Sequence, residues 1–363
     1  MFPSKIGRRI LCYAFFVITV ICLHSQSFES VQEFVFSGKD ETRNFLLEVS
    51  MAWLNARCLS FSLDCIHSNS LNRKDFLVSL AYFFYLPCFF TGPLKNYSNF
   101  YKCISSYNSV RPFNVTHFLL NLIRFIFWAL VYDFLLHFVY CSSIQYNQLF
   151  ITEMNSWSLS GFGYSLPCLF YLKYFVIYGL AGVISSLNGV HLEAPPKCIS
   201  RVHLCSYLWR HFDRGLHLWL STYFYKPIVN NNWNVKRKVI ATAVCFCCVA
   251  VWHGFNKSIL VWSFLSFLGV IVELFVTSFL SGFGNIKKKI SSDSLRRLEA
   301  VITAPLFMFL ILSNIFFLSN FDIGIHFLRT FVFSFSTTLF IALFIMYCSC
   351  NVSIFCKRKE DNL

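Results

Sequence analysis

The chain has 363 residues, of which 56% are hydrophobic, 19% aromatic and only 13% charged, against roughly 25% charged in ordinary soluble domains. That balance excludes a water-soluble globular fold and predicts an all-α polytopic membrane protein. The formal net charge of +14 falls in short clusters between apolar runs, as positive-inside anchoring requires, so membrane lipids and not nucleic acid are the expected surroundings.

Lys5, Arg8 and Arg9 precede the apolar stretch Ile10–Leu23, and no small-x-small cleavage site comes before Gln26. Residues 1–45 therefore read as an uncleaved signal-anchor-like helix and a loop. Further membrane segments are expected in part of Phe45–Leu63 and at Phe76–Phe90, Phe118–Tyr140, Tyr164–Leu187, Val239–Trp252, Ile259–Leu280, Ala300–Leu318 and Phe327–Met346. Most approach the length needed to cross ~30 Å of hydrocarbon. Phe76–Phe90 contains Pro87 and is followed by Gly92-Pro93, while Leu216–Tyr225 is too short to span, so both read as re-entrant. Such segments persist only where protein or a polar cavity shields their backbone. With no repeat and no linker, residues 46–350 read as one membrane domain and 351–363 as a basic tail.

Charge orients these segments. Lys287-Lys288-Lys289 with Arg296-Arg297, Lys236-Arg237-Lys238 and Lys357-Arg358-Lys359 all fit the cytosolic side. The C-terminus is then cytosolic, His253 lumenal, and Asp213–Tyr225 lies on or enters from the cytosolic face. Among the 16 Cys, Cys245, Cys247 and Cys248 sit in one apolar run as small hydrophobes. No CxxC pair has a second pair behind it, so a structural zinc site is not expected.

Two polar clusters stand out: Val251-Trp252-His253-Gly254-Phe255 and Trp209-Arg210-His211-Phe212-Asp213-Arg214-Gly215-Leu216-His217. An ionisable residue at the edge of a span reads by default as functional. A near-neutral imidazole can take a proton from an attacking amine or hydroxyl, and the bland alternative is an interfacial histidine capping its helix. Asp213 either holds a re-entrant half-helix or a polar donor substrate, or pairs with Arg210 or Arg214. Opposite faces exclude a hydrogen-bonded relay between His253 and Asp213. Glu273 and Asp133 read as internally paired, and Asn314 as an interhelical hydrogen-bonding residue. A transporter would show inverted repeats, and none is found.

The segments Arg57-Cys58-Leu59-Ser60-Phe61-Ser62-Leu63-Asp64, Tyr82 to Pro87 with Gly92-Pro93, Pro195-Pro196-Lys197-Cys198, Leu208 to Asp213 with Gly215-Leu216-His217, Trp252-His253-Gly254 and Ile311-Leu312-Ser313-Asn314 carry a resemblance. Together they resemble the membrane-bound O-acyltransferase superfamily over roughly Arg57 to Phe333, most closely its protein-cysteine N-palmitoyltransferases, the hedgehog acyltransferases. The resemblance implies a helical core with re-entrant segments around a membrane-crossing tunnel, in the endoplasmic reticulum or Golgi membrane. It implies catalytic roles for His253 and Asp213 and substrate contacts at Trp209, Arg210, Trp252 and Asn314. It further implies Cys198 as thiolate ligand to the iron of a haem b, with Lys197 and Arg201 near the propionates. Palmitoyl-CoA is the implied acyl donor, and a secreted signalling protein with an N-terminal cysteine the implied acceptor. Alternatives are O-acylation of a protein serine or a lipid hydroxyl, and a silent relative that binds the signalling protein. The chain departs in having Arg214 after the acid and Phe255 after Trp-His-Gly. It is also expected to lack some N-terminal helices of the family.

Overall fold

A computed structural model describes residues 4–25, 41–68, 73–106, 113–145, 147–230, 234–282, 291–333 and 337–361. The cluster Lys287–Lys289 lies outside them. The described residues form helices and no strand: α1 (Lys5–Leu23), α2 (Glu41–Ser68), α3 (Arg73–Phe83), α4 (Tyr97–Ser105), α5 (Val115–Phe138), α6 (Ser156–Ser186), α7 (Cys205–Phe212), α8 (Arg214–Leu220), α9 (Val235–Trp252), α10 (Lys257–Gly282), α11 (Ser292–Leu318), α12 (Phe321–Leu328) and α13 (Thr337–Asp361), with a few shorter turns between. Among them α1, α5, α6, α10, α11 and α13 are long and apolar enough to cross a membrane, as an all-α polytopic protein requires.

Four expected membrane segments differ from a single straight span. Phe76–Phe90 breaks after Phe83 and continues as a single 3-10 turn, Leu86–Cys88. The run Val239–Trp252 extends backwards into α9, whose first turn carries Lys236, Arg237 and Lys238. Phe45–Leu63 lies within α2, which also carries Glu48, Arg57 and Asp64. The polarity of α2 belongs to its interior contacts: Asn55, Arg57 and Ser60 are buried. Asn55 donates to the Phe16 carbonyl at 3.1 Å, and Arg57 donates to the carbonyls of Phe83 and Cys88, holding the broken segment in place. The expected segment Phe327–Met346 is also divided, since α12 passes into a π-helical turn at Arg329–Phe333 before α13 begins. Helix α13 then runs through residues 351–361 of the predicted tail. Arg358 bonds Glu299 at 2.9 Å and Asn351 accepts from Arg296 at 2.8 Å, so this stretch is packed on α11.

The chain divides into two compact units. The first comprises residues 1–127, 176–195 and 213–254, and the second 128–175, 196–212 and 255–363. In the first unit Phe16, Val20, Trp53, Ala56, Leu59, Leu94, Trp219 and Tyr223 form a core between α1, α2 and α8. In the second unit, Leu208 of α7, Ala304, Phe307 and Leu310 of α11, and Cys350 of α13 form one core. Ile315 of α11 packs with Phe162 of α6 and Phe327 of α12 in another.

Candidate active site

Asp213 lies between α7 and α8 with an extended backbone (φ −123°, ψ 91°), the conformation of a helix N-cap. Its Oδ1 accepts the Leu216 backbone N–H at 2.8 Å, and its Oδ2 accepts the Tyr178 hydroxyl at 2.7 Å. These bonds, and not an ion pair with a flanking arginine, are what hold the carboxylate. Burial, the largest influence, raises its pKa, and the hydrogen bonds oppose the shift. Gly215 follows because nothing larger fits: a Cβ there would stand 2.2 Å from the Leu94 carbonyl oxygen. Thus α8 starts hard against the chain that follows Gly92-Pro93.

Beyond α8 the backbone widens into a π-helical turn, Ser221–Tyr225, which α2 anchors. Trp219 Nε1–H donates to the Ala56 carbonyl at 3.1 Å, and the Tyr223 hydroxyl donates to Asp64 at 2.9 Å while contacting Ser60 at 2.7 Å. Asp64 also accepts the Ser98 N–H at 2.9 Å, and Ser60 the Tyr97 N–H at 2.9 Å. The Arg57–Asp64 segment is therefore the clamp for the re-entrant chain, a role its sequence does not disclose.

His253 is the C-cap of α9. Its N–H bonds the Val249 carbonyl at 3.1 Å, and Gly254 turns the chain away with φ +90°, which a side chain would strain. Trp252 fixes the turn from one side, its ring edge-on to Trp53 at 4.8 Å and to Trp219 at 6.2 Å. His24 fixes it from another, donating Nε2–H to the Trp252 carbonyl at 2.8 Å. His253 is exposed, yet burial is the first cause that lowers its pKa to about 4, with the His24 charge adding to it. Both observations hold for a ring that borders an open space and is still crowded by protein. Such an imidazole is neutral at physiological pH and able to accept a proton.

The other predicted residues lie in the second unit. Trp209 meets the ring of Trp262 at 5.4 Å, and Trp262 Nε1–H donates to Asn314 Oδ1 at 3.2 Å. Asn314 returns its amide to the Leu310 carbonyl at 2.8 Å. Trp209, Trp262 and Asn314 are thus brought together, and Trp262 is the member that the sequence reading missed. Its only signal is an indole N–H inside an apolar span, which needs an acceptor. Glu273 accepts the backbone N–H of Ser206 at 2.9 Å and the Ser206 hydroxyl, so it is internally paired and holds the start of α7. Arg210 is exposed on the last turn of α7.

Cys198 is half-buried beside the turn Ile199–Arg201. The neighbouring cations Lys197 and Arg201 both pair with Glu360 of α13, and Lys197 also bonds the Tyr207 hydroxyl at 2.6 Å. These contacts give no support to the haem that the resemblance implies at Cys198, and no step below uses one.

Residues 14–313 match the family described as MBOAT, membrane-bound O-acyltransferase. The chain is 27% identical to the protein-cysteine N-palmitoyltransferase HHAT of Mus musculus, over 92% of this chain and 69% of that protein. It is 28% identical to the protein-cysteine N-palmitoyltransferase Rasp of Drosophila melanogaster, over 88% of this chain and 64% of that protein. It is also 26% identical to the membrane-bound O-acyltransferase GUP1 of Millerozyma farinosa, over 59% of this chain and 42% of that protein.

Proposed function

Because the chain belongs to the membrane-bound O-acyltransferase family, we propose that it moves a palmitoyl group from palmitoyl-CoA to the N-terminal cysteine amine of a secreted, hedgehog-type signalling protein. Similarity to two protein-cysteine N-palmitoyltransferases over most of the chain supports the acceptor. The observation that carries the chemistry is the Trp252-His253-Gly254 turn, which holds an exposed, neutral imidazole on a rigid frame.

The amine nitrogen attacks the thioester carbonyl carbon as its proton passes to His253. The C–S bond then breaks with its electron pair on sulfur, and His253 returns the proton to the departing thiolate. An imidazole held well below its usual pKa is a modest base and, once charged, a strong acid. That favours the second transfer and leaves the ring neutral for the next cycle. A thioester is already activated, so the remaining demand is proximity. Asp213 acts by positioning, fixing α8 through its cap and Tyr178. Trp209, Arg210 and Asn314 serve the donor side, with Trp262 holding Asn314 in orientation.

Charge supports the orientation. The hydrogen bond from His24 to Trp252 ties the C-terminal ends of α1 and α9 together. Their basic first turns, with Lys5, Arg8 and Arg9 on one helix and Lys236, Arg237 and Lys238 on the other, then share one side. At 1.5 Å per residue the two helices are about 28 and 27 Å long, close to the hydrocarbon thickness. The positive-inside rule supports a lumenal His253, where a secreted acceptor arrives, and the basic run Lys357-Arg358-Lys359 separately supports a cytosolic C-terminus in an endoplasmic reticulum or Golgi membrane.

Similarity to GUP1 favours a second reading, O-acylation of a hydroxyl. Purified protein incubated with alkyne-palmitoyl-CoA and peptides beginning with cysteine, N-acetylcysteine or serine separates the two. N-palmitoylation predicts label on the first alone, whereas label on the serine hydroxyl selects the second reading.

A further inference from the structure

His24 caps α1, far in sequence from every motif that marks the site, yet it touches the turn that carries His253. Its Nε2 lies 2.8 Å from the Trp252 carbonyl oxygen, and its Nδ1 lies 3.0 Å from Glu48 Oε1. Both partners are acceptors. A neutral imidazole carries one N–H, so one contact would then set a lone pair against an oxygen, and only the imidazolium donates to both. The site suits a cation twice over, because the Glu48 carboxylate faces it from α2 and the C-terminal end of α9 carries the negative pole of that helix. Glu48 faces this ring from α2, His24 acts electrostatically on His253 at the end of α9, and Cys22 is exposed on the last turn of α1 itself.

We propose that His24 is a positioning residue for His253: as an imidazolium bridging Glu48 and the Trp252 carbonyl, it locks the peptide ahead of His253 and sets a positive charge beside the His253 ring. Two effects follow from one bridge. The hydrogen bond satisfies a terminal carbonyl of α9 and so fixes where the His253 backbone begins. The charge disfavours a second cation on the neighbouring ring. The His24 ring also packs at 3.5 Å from where a Cβ on Gly254 would stand, so it guards the glycine side of the turn as well. The catalytic consequence rests on the reading of His253 as general base, whereas the electrostatic coupling does not.

The test uses the full chain in nanodiscs with ¹³C-labelled histidine, the His253 resonance being assigned by its loss in His253→Gln. His24→Gln keeps one donor and removes the charge, His24→Arg keeps the charge and several donors, and Glu48→Gln removes the carboxylate. The expected result is a His253 titration midpoint that rises by on the order of half a pH unit or more in His24→Gln, a like-charge effect of ordinary size. His24→Arg should keep the wild-type midpoint, and Glu48→Gln should not raise it, because an ordinary imidazole at position 24 is still charged at the low pH where His253 titrates. A midpoint equal in wild type, His24→Gln and His24→Arg overturns the proposal, leaving His24 as an ordinary helix cap. The acid limb of the transfer rate, followed in parallel, should shift with the midpoint. Coupled midpoints without any palmitoyl transfer would reject the proposed function and keep the bridge. Transfer with uncoupled midpoints would do the reverse.

Discussion

His253 and Asp213, to both of which the family resemblance assigns catalytic roles, occupy different kinds of position. One is an exposed neutral imidazole on a turn, the other a carboxylate consumed by a cap and a tyrosine. His253→Ala should lower palmitoyl transfer by roughly 10²–10⁴-fold, the usual cost of a lost general base, with acyl-CoA binding little changed in an equilibrium assay. Asp213→Asn preserves an N-cap acceptor, so it should leave thermal stability nearly intact and transfer far above the His253→Ala level. Asp213→Ala should cost about 1 kcal/mol in a denaturation assay, as lost caps do. Equal loss of transfer in Asp213→Asn and His253→Ala, with stability preserved, would give the carboxylate a chemical role. His253 draws attention in the sequence because a histidine after an apolar run is costly. The cap was legible only as one alternative for Asp213, and Tyr178 not at all, since its hydroxyl arrives from 35 positions away.

At the scale of elements, apolar runs located five of the six long apolar helices well and missed the bounds of α13, because length and hydropathy are local properties while the break at Arg329–Phe333 is not marked by them. The prolines and Gly92 likewise signalled the break after Phe83. The interior helix α2 was less legible, its polar side chains being satisfied by contacts distant in sequence, such as Asp64 with Tyr223. The π-helical turn after α8 depends on the same contacts. Gly215 tests how closely α8 must approach the Leu94 backbone. Gly215→Ala should destabilise the protein by about 1–3 kcal/mol, the usual cost of overpacking. Gly161→Ala in α6, where nothing stands within 4 Å of the added carbon, should be neutral or slightly stabilising. Melting temperatures of the two variants in one detergent check the contrast, and similar values would remove the close packing from the account.

For the molecule as a whole, the orientation rests on basic turns that the His24–Trp252 contact places on one side of the first unit. Cysteines introduced at Arg9 and at Arg237, in a background without other reactive cysteines, should label when only the plasma membrane is opened. A cysteine at Asn256 should label only when the lumen is opened too. Labelling of position 256 from the cytosol would take the acceptor side away from His253. The central claim is that His253 transfers a palmitoyl group to an N-terminal cysteine amine. The most direct measurement is a single-turnover assay of purified wild type and His253→Ala, loaded with alkyne-palmitoyl-CoA and mixed with an N-terminal cysteine peptide. The account predicts amide-linked, hydroxylamine-resistant label on the peptide for wild type and at least about 100-fold slower labelling for His253→Ala. Amide label forming at equal rates in both proteins would contradict it.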